Sequence, residues 1–194
     1  MTDKFPNFRG IKSVDMKKII FFLLFFIFHY TAAQYEMRTA SGMISFEASV
    51  PFYEEVKATN NTAVCLLELK NGQLSSRVQM KDFRFKLSLM EEHFNKKYLE
   101  TDDYPQATFR GIIEGFNINI IGDTPKDFKL KGELKIHGKS KKINAIVFLR
   151  KERNGLEMVS EFKINTKDYN IDIPEILRMK VAETVHINYY FFVK

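Results

Sequence analysis

The chain has 194 residues, of which 14% are aromatic and 28% charged, with a formal net charge of +6 and a single cysteine. Residues 1–33 hold five basic and two acidic side chains, so the other 161 residues carry 25 basic and 22 acidic ones. This near-balance, with lysines spread along strand faces, excludes the clustered basic patch that nucleic-acid binding needs. Cys65 has no partner for an internal disulfide, so burial of a core must hold the domain together.

The N-terminal segment has the pattern of a secretory signal peptide. Two adjacent lysines precede an unbroken apolar run at residues 19–28, and small residues follow up to Ala33. The run is shorter than the roughly 20 apolar residues that span a bilayer, so cleavage is predicted after Ala33. Met16 is the predicted start of translation, which makes residues 1–15 an upstream extension and the mature protein periplasmic or secreted. A buried N-terminal helix is the alternative.

The remaining residues, 34–194, have about the length of one domain. Residues 42–48 alternate between apolar and polar side chains, which predicts a strand with one buried face. Residues 54–61 are polar and are interpreted as a helical turn.

A hairpin is predicted at Asn71-Gly72, because both residues tolerate positive φ and the flanking segments alternate. A two-residue turn at this point sets Cys65 opposite Val78, with both side chains on the apolar face. Cys65 is therefore expected to lie inside the domain as an inert small hydrophobe.

One helix is predicted after the Asn71-Gly72 hairpin, where the spacing of apolar residues changes from the two-residue period of strands to that of a helix. Met90, Phe94 and Tyr98 recur at helical spacing with charged residues between them. Ser88 and Glu91 have the pattern of a capping box, in which each side chain bonds the backbone amide of the other. These residues predict a short amphipathic helix of about three turns that lies over one end of the sheet.

Strands are again predicted after the helix. Residues 107–115 alternate with Phe109 and Ile113 on the inner face, and residues 116–121 extend this strand. Residues 183–193 form the last predicted strand, with apolar side chains on both of its faces.

Three further strands are predicted between residues 129 and 164, joined by a polar turn at residues 138–141 and by Asn154-Gly155. Both turns independently put the same residues on the same face, and a slip of one residue would invert every side chain. The inner pairs that these turns predict are Leu134 with Ala145, Gly132 with Val147, Val147 with Phe162, and Ala145 with Ile164.

About eight antiparallel strands with little helix between them predict an all-β sandwich or barrel, and closure into a barrel removes exposed edges. An eight-stranded antiparallel barrel is either filled by its own side chains or holds one apolar ligand. Small inner residues such as Gly132 and Ala145 leave volume along the axis. They fit a packed core around Phe109 and Phe162 equally well.

The sequence holds no catalytic constellation. His93, His137 and His186 are interpreted as surface residues, since none has a second ligand at metal-binding spacing. Cys65 has no evident basic activator, and the chain has no glycine-rich phosphate loop. The sequence therefore predicts neither an enzyme nor a metal or cofactor site.

Two motifs resemble those of the YceI-like family. One joins Glu92-His93-Phe94 to Tyr104-Pro105-Gln106-Ala107-Thr108-Phe109, and the other is the run from Leu130 to Lys141 around Ile136-His137-Gly138. Residues 42–48 and the corner Tyr169-Asn170-Ile171 are also similar, so the resemblance spans nearly all of residues 34–194. The chain departs from the family at Asn170, where glycine is frequent, and at Ser140, where threonine is usual.

The resemblance implies an exported, lipocalin-like barrel that carries a polyisoprenoid or similar lipid and has no catalysis. The alternative is a structural or protein-interaction β-domain with a filled core and no ligand. Nucleic acid is not an expected partner, no integral membrane segment remains after cleavage, and contact with a membrane surface stays open. In the carrier interpretation Gly132 is the widest point of a tunnel that is lined by Cys65, Val78, Phe109, Ile113, Leu134, Ala145, Val147, Phe162 and Ile164.

Overall fold

The computed structural model describes residues 35–194, and most of them are in strands. The predicted signal peptide, its cleavage after Ala33 and the start at Met16 lie outside the described residues and stay predictions. Within residues 35–194 no helix is both long and apolar enough to cross a membrane. The elements are β1 Glu36–Ser49, β2 Lys57–Glu68, β3 Gln73–Gln79, β4 Arg84–Phe85, α1 Ser88–His93, β5 Gln106–Ile113, β6 Lys126–Ile136, β7 Lys139–Glu152, β8 Gly155–Asn165 and β9 Val181–Val193.

Eight of the strands form a closed antiparallel barrel. The order around the ring is β1-β9-β8-β7-β6-β5-β3-β2, and pairing of β1 with β2 closes it. The short strand β4 pairs only with β2, at Ala58 and Thr59, and is not part of the ring. The predicted fold, an eight-stranded barrel with one short helix, is confirmed. Closure gives each of these eight strands a neighbour on both sides, which protects the domain against edge-to-edge association.

The connections divide between two ends because neighbouring strands run in opposite directions. At one end, here called the upper end, lie residues 50–56, residues 80–105 with α1, the turn between β6 and β7, and residues 166–180. At the lower end lie the β2–β3 and β7–β8 turns and residues 114–125. Of the four longest connections, three are therefore at the upper end. The fourth, residues 114–125, is at the lower end.

The β2–β3 hairpin has a longer turn than predicted. Residues 69–72 form the turn, Gly72 has φ +71°, and its N–H donates to Glu68 O at 2.9 Å. Asn71 keeps a negative φ, so the two-residue turn that needs positive φ at both positions does not form. As a result Cys65 pairs with Ser76 instead of Val78.

The β6–β7 turn is tighter than predicted. His137 and Gly138, with φ +48° and +73°, form a two-residue turn that pairs Ile136 with Lys139. The predicted turn at residues 138–141 is wrong, and the register moves by four residues. The observed pairs are Leu134 with Lys141, Gly132 with Ile143, and Leu130 with Ala145.

The β7–β8 turn lies one residue earlier than predicted, at Arg153-Asn154, where Arg153 has φ +52°. Val147 consequently pairs with Ser160 instead of Phe162. The ladder ends at Ile146 and Glu161, so β7 and β8 separate above this pair and the predicted pairing of Ala145 with Ile164 is absent. All three register errors are even numbers of residues, so every inner side chain keeps its predicted face.

The helix begins at Ser88 as predicted, but the capping box does not form. Leu87 is the N-cap residue and no side chain caps the first turn. The Glu91 carboxylate instead accepts hydrogen bonds from two residues of β4, Phe85 N (3.2 Å) and Arg84 Nη1 (3.1 Å). Ser88→Ala is therefore expected to leave stability nearly unchanged. A π-helical turn, Phe94–Tyr98, continues the helix.

Two other segments differ from their predictions. Residues 57–61 belong to β2 and are not a helical turn, because the Asn60 side chain is fully buried and its Nδ2 donates to Gln79 O at 3.0 Å. Residues 116–121 do not extend β5. They contain a 3₁₀ turn, Ile118–Ile120, which begins where the Asn117 side chain accepts from Asn119 N.

His137 is not a surface residue but holds the upper end together. Its side chain is only 10% exposed. The Nδ1 atom lies 3.2 Å from Tyr169 O, Nε2 lies 3.0 Å from the Glu100 carboxylate, and the ring meets that of Tyr104 edge-on at 4.4 Å. One side chain at a tight turn thereby joins two of the upper connections.

His137→Ala is expected to lower the free energy of unfolding by about 2–4 kcal/mol, because it leaves the Tyr169 carbonyl without its partner and removes an aromatic contact. His186→Ala is the matched control. His186 is 44% exposed and faces Glu161 at 3.8 Å, so its removal is expected to change stability by about 0.5 kcal/mol or less. Urea denaturation of both variants measures the difference, and equal stabilities would contradict the role of His137.

Candidate functional site

The interior of the barrel differs between its two halves. The lower half is filled by aliphatic side chains such as Leu67, Leu149, Leu156 and Met158, none of which is exposed to solvent. Such close packing leaves no room for a ligand. The upper half contains a cavity.

The cavity has a volume of about 370 Å³ and opens at the upper end. This volume lies in the range of pockets that hold small apolar molecules. Its walls are almost entirely apolar, and their side chains come from the strands and from the upper connections. The strand residues that line it are Ile44, Phe46, Ala48, Leu74, Ser76, Val78, Phe85, Ala107, Phe109, Leu130, Leu134, Ile136, Ile143, Phe162, Ile164, Val181, Ala182, Val185, Ile187, Tyr189 and Phe191.

A cluster of phenylalanines forms the wall beside the helix. Phe46 of β1 packs on Phe83, Phe85 and Phe94, with ring centroids 5.3–5.7 Å apart. Phe94 belongs to the same helical stripe as Met90 and Tyr98, and all three line the cavity. The stripe therefore turns the helix toward the cavity, and burial of these side chains holds it there.

Polar groups occur mainly at the mouth. Glu54, His93 and Lys180 line it, each from a different upper connection. His93 is thus not an isolated surface residue as predicted. An apolar chain can lie inside without charged contacts, whereas a buried charge would lose its hydration without a partner. The geometry favours a ligand whose apolar part is inside and whose polar part is at the mouth.

Two tyrosines of the cavity wall are affected by burial. Burial raises the pKa of Tyr98 and raises that of Tyr189 more strongly. The Tyr189 hydroxyl lies beside Ser160 but makes no hydrogen bond of good geometry. Ser160 Oγ itself donates to Ile146 O at 2.6 Å. Both phenols are therefore neutral at physiological pH and add no charge to the cavity.

Half of the ten residues predicted to bind the ligand are brought together around the cavity. These are Val78, Phe109, Leu134, Phe162 and Ile164. They come from four different strands, and their shared face follows from the alternation that predicted it. Their contact with a ligand stays a prediction.

The other five predicted residues do not line the cavity. Cys65, Ile113 and Val147 are at most 1% exposed and belong to the packed core. Gly132 is covered, because a Cβ atom at this position would be 2.5 Å from Cζ of the Phe109 ring. Ala145 lines a second pocket, a cleft of about 640 Å³ where β7 and β8 separate, which shares Leu130, Ile143, Phe162 and Ile164 with the cavity.

The sequence interpretation missed the upper connections. Met90, Phe94 and Tyr98 were assigned to a helix over the sheet and not to a binding site, although their spacing is a signal that an apolar stripe must face the barrel. Phe83 and Phe85 carry no such signal, because Phe83 lies just before β4 and the two residues of β4 are too few to show a period.

Metal and nucleophile chemistry have little support in the described part of the chain. Within residues 35–194 no three His, Cys, Asp or Glu side chains are grouped so as to hold a metal ion. Cys65 is buried, and burial raises the pKa of its thiol to about 12. The reactive thiolate is therefore scarce at neutral pH.

Cys65 is expected to resist a bulky maleimide for hours in the native protein at pH 7.5 and to react fully in denaturant. The chain has one cysteine, so labelling measured by mass spectrometry reports on this residue alone. Lys70→Cys in a Cys65→Ala background is the control, because position 70 is an exposed turn residue and should react within minutes. Rapid labelling of the native wild type would contradict the packed lower half.

A closed antiparallel barrel with an apolar cavity open at one end defines a class of small-ligand-binding barrels. Residues 34–192 match the family model of the YceI-like domain, and the chain therefore belongs to the YceI-like family. No curated protein sequence matches the chain at a significant level.

Solved structures with the same fold support this assignment. A polyisoprenoid binding domain from Saccharophagus degradans, implicated in plant cell wall breakdown, is 13% identical, with 82% of this chain and 97% of that chain covered and a TM-score of 0.71. BcnA from Burkholderia cenocepacia is 17% identical, with coverages of 80% and 97% and a TM-score of 0.65. The YCEI protein of Campylobacter jejuni is 16% identical, with coverages of 68% and 78% and a TM-score of 0.53. At these identities the likeness is one of fold.

Proposed function

We propose that this protein is a non-catalytic carrier that holds the apolar chain of an isoprenoid-type lipid in the upper half of its barrel. The observation that carries the proposal is the cavity of about 370 Å³ with apolar walls and one open end. The neighbour from Saccharophagus degradans is described as a polyisoprenoid binding domain, which supports the ligand class. The predicted signal peptide supports a periplasmic or secreted location.

The packed lower half supports one orientation of the proposed ligand. An apolar chain would enter at the upper end and reach down to Tyr189 and Phe191, while a polar end group would stay near Glu54, His93 and Lys180. Burial of charge is avoided in this orientation.

Apolar burial alone is sufficient for useful affinity. At about 0.3 kcal/mol per heavy atom, a ligand of 20 to 40 carbons would gain roughly 6 to 12 kcal/mol. For a 20-carbon isoprenoid alcohol this corresponds to a Kd of roughly tens of micromolar. No catalytic group is required for such a function.

A structural domain with a filled core is the second candidate. The packing of Leu67, Leu149 and Met158 favours it for the lower half. The open upper half does not serve a purely structural role, because a cavity of this size lowers stability relative to a packed core. The carrier is therefore the better supported function.

Native mass spectrometry of the full chain, expressed in a bacterium and purified from the exported fraction, tests the proposal. We expect a mass excess that organic extraction removes, and fragmentation should identify a lipid with an apolar chain. Purified protein without any adduct that also fails to bind a 20-carbon isoprenoid alcohol would overturn it.

A further inference from the structure

Large apolar side chains are exposed on three separate connections of the upper end. Phe52, between β1 and β2, is fully exposed. Leu89 at the start of α1 is 61% exposed, and Ile176 and Met179, between β8 and β9, are 84% and 70% exposed. We call these four side chains the rim. Clustered exposure of this kind marks an interaction surface more often than single apolar residues do.

Phe52 occupies a position that the fold does not favour for it. The Tyr53 N–H donates to Val50 O at 3.2 Å, which closes a turn with Pro51 and Phe52 at its centre. Phe52 has φ +70°, the conformation that glycine or asparagine adopts at this place in a turn after proline. Its ring contributes no burial to the fold and sits in a strained conformation, which is a mark of functional positions.

The rim surrounds the mouth of the cavity. Tyr53, Met90 and Leu177 line the cavity, and each is the direct neighbour in sequence of a rim residue. Each of the three connections thus turns one apolar side chain into the cavity and the next one out to solvent. Apolar side chains therefore lie on both sides of the mouth, next to the polar Glu54, His93 and Lys180 that also line it.

The rim carries no excess of positive charge. The segments of the three connections that carry the rim, residues 50–56, 84–92 and 174–180, hold five acidic and four basic side chains. Three of the four basic side chains are paired within the protein, so attraction to an anionic surface is weak. The pairs are Lys86 with Glu54 (3.6 Å), Arg84 with Glu91 (3.1 Å) and Arg178 with Glu175 (3.6 Å).

We propose that the protein docks on the surface of a lipid bilayer with its upper end, inserting the rim into the interfacial region. Apolar side chains on a surface of balanced charge suit an uncharged, zwitterionic lipid surface, where binding scales with the apolar area inserted. The mouth then faces the lipid, so a chain can pass between bilayer and cavity without crossing water. The inference rests on the proposed function, because lipid transfer is the reason for docking. The positions of the rim side chains do not depend on that function.

Tryptophan fluorescence tests the contact directly, because the chain has no tryptophan of its own. Phe52→Trp should shift its emission to the blue on addition of phosphatidylcholine vesicles. Ile120→Trp is the matched control, since Ile120 is 49% exposed on the lower end, and its emission should not change. A shift at both positions or at neither would overturn the proposed orientation.

Vesicle sedimentation tests the energetics. Phe52→Ser/Ile176→Ser should lower the partition coefficient on phosphatidylcholine vesicles about tenfold or more, whereas Ile120→Ser should leave it unchanged. Binding that requires anionic lipid and disappears in 0.5 M salt would overturn the proposal. So would rim-dependent dimerisation in light scattering with no binding to vesicles, because the rim would then contact a second copy.

Failure of this inference is distinguishable from failure of the proposed function. The double serine variant should still bind a 20-carbon isoprenoid alcohol in detergent-free solution with wild-type affinity, since neither residue lines the cavity. Loss of vesicle binding with retained ligand binding supports the docking surface. Vesicle binding by a wild type that binds no apolar ligand would retain the docking surface and remove the carrier.

Discussion

Gly132→Leu is expected to destabilise the barrel by more than about 3 kcal/mol or to prevent its folding. Gly132 lies opposite Gly111 in the β5–β6 ladder, and a Cβ atom at position 132 would overlap the Arg110 carbonyl oxygen and the Gly111 Cα atom. Both are backbone atoms, so no change of rotamer relieves the overlap. Urea denaturation of the purified variant measures the loss.

Two further variants separate the causes. Gly122→Leu is the control, because a Cβ atom at position 122 meets nothing within 4 Å, and its effect should be about 0.5 kcal/mol or less. Gly132→Ala/Phe109→Leu removes the ring above the glycine but leaves the backbone overlap, so it should remain destabilised. If Gly132→Leu is as stable as Gly122→Leu and loses only its lipid, Gly132 lines a tunnel after all.

Ser76→Phe is expected to weaken binding of a 20-carbon isoprenoid alcohol at least about tenfold while the melting temperature stays near that of the wild type. Ser76 lines the cavity, between Cys65 on one neighbouring strand and Phe109 on the other. A phenyl group there would occupy ligand volume, and a displaced ligand loses about 0.8 kcal/mol for each methylene that is no longer buried. Titration followed by native mass spectrometry measures the affinity.

Ser75→Phe is the matched control for this variant. Ser75 is the preceding residue of β3 and points to the outer face, so the same substitution should leave ligand binding unchanged. Unaltered affinity of Ser76→Phe would show that the ligand lies elsewhere, for instance in the cleft between β7 and β8. A large loss of stability in Ser76→Phe would instead show that the upper half is packed like the lower one.

The division of the barrel reconciles a stable fold with an open cavity. The domain has one cysteine and therefore no internal disulfide, so its stability depends on buried apolar surface. The filled lower half supplies a contiguous core that includes Leu67, Val147 and Leu156. The upper half can therefore be less densely packed and contain a cavity, while the packed lower half keeps the strands together.

The sequence by itself determined which residues face inward. Alternation of period two assigned Phe109, Leu134 and Phe162 to the inner face, and the family motifs identified the barrel. These features depend only on local geometry, because successive side chains of a strand point to opposite faces. The helical stripe of Met90, Phe94 and Tyr98 was visible for the same reason.

Only the tertiary structure decided the register and the position of the cavity. Turn type depends on which residues adopt positive φ, and His137 and Arg153 do so where asparagine and glycine were the expected candidates. Whether an inner residue meets a ligand or a neighbour depends on contacts between distant strands, as with the Phe109 ring that covers Gly132. The alternation of apolar and polar residues shows which face a side chain is on but not how far along the barrel axis it lies. It therefore could not distinguish the packed lower half from the upper half that contains the cavity.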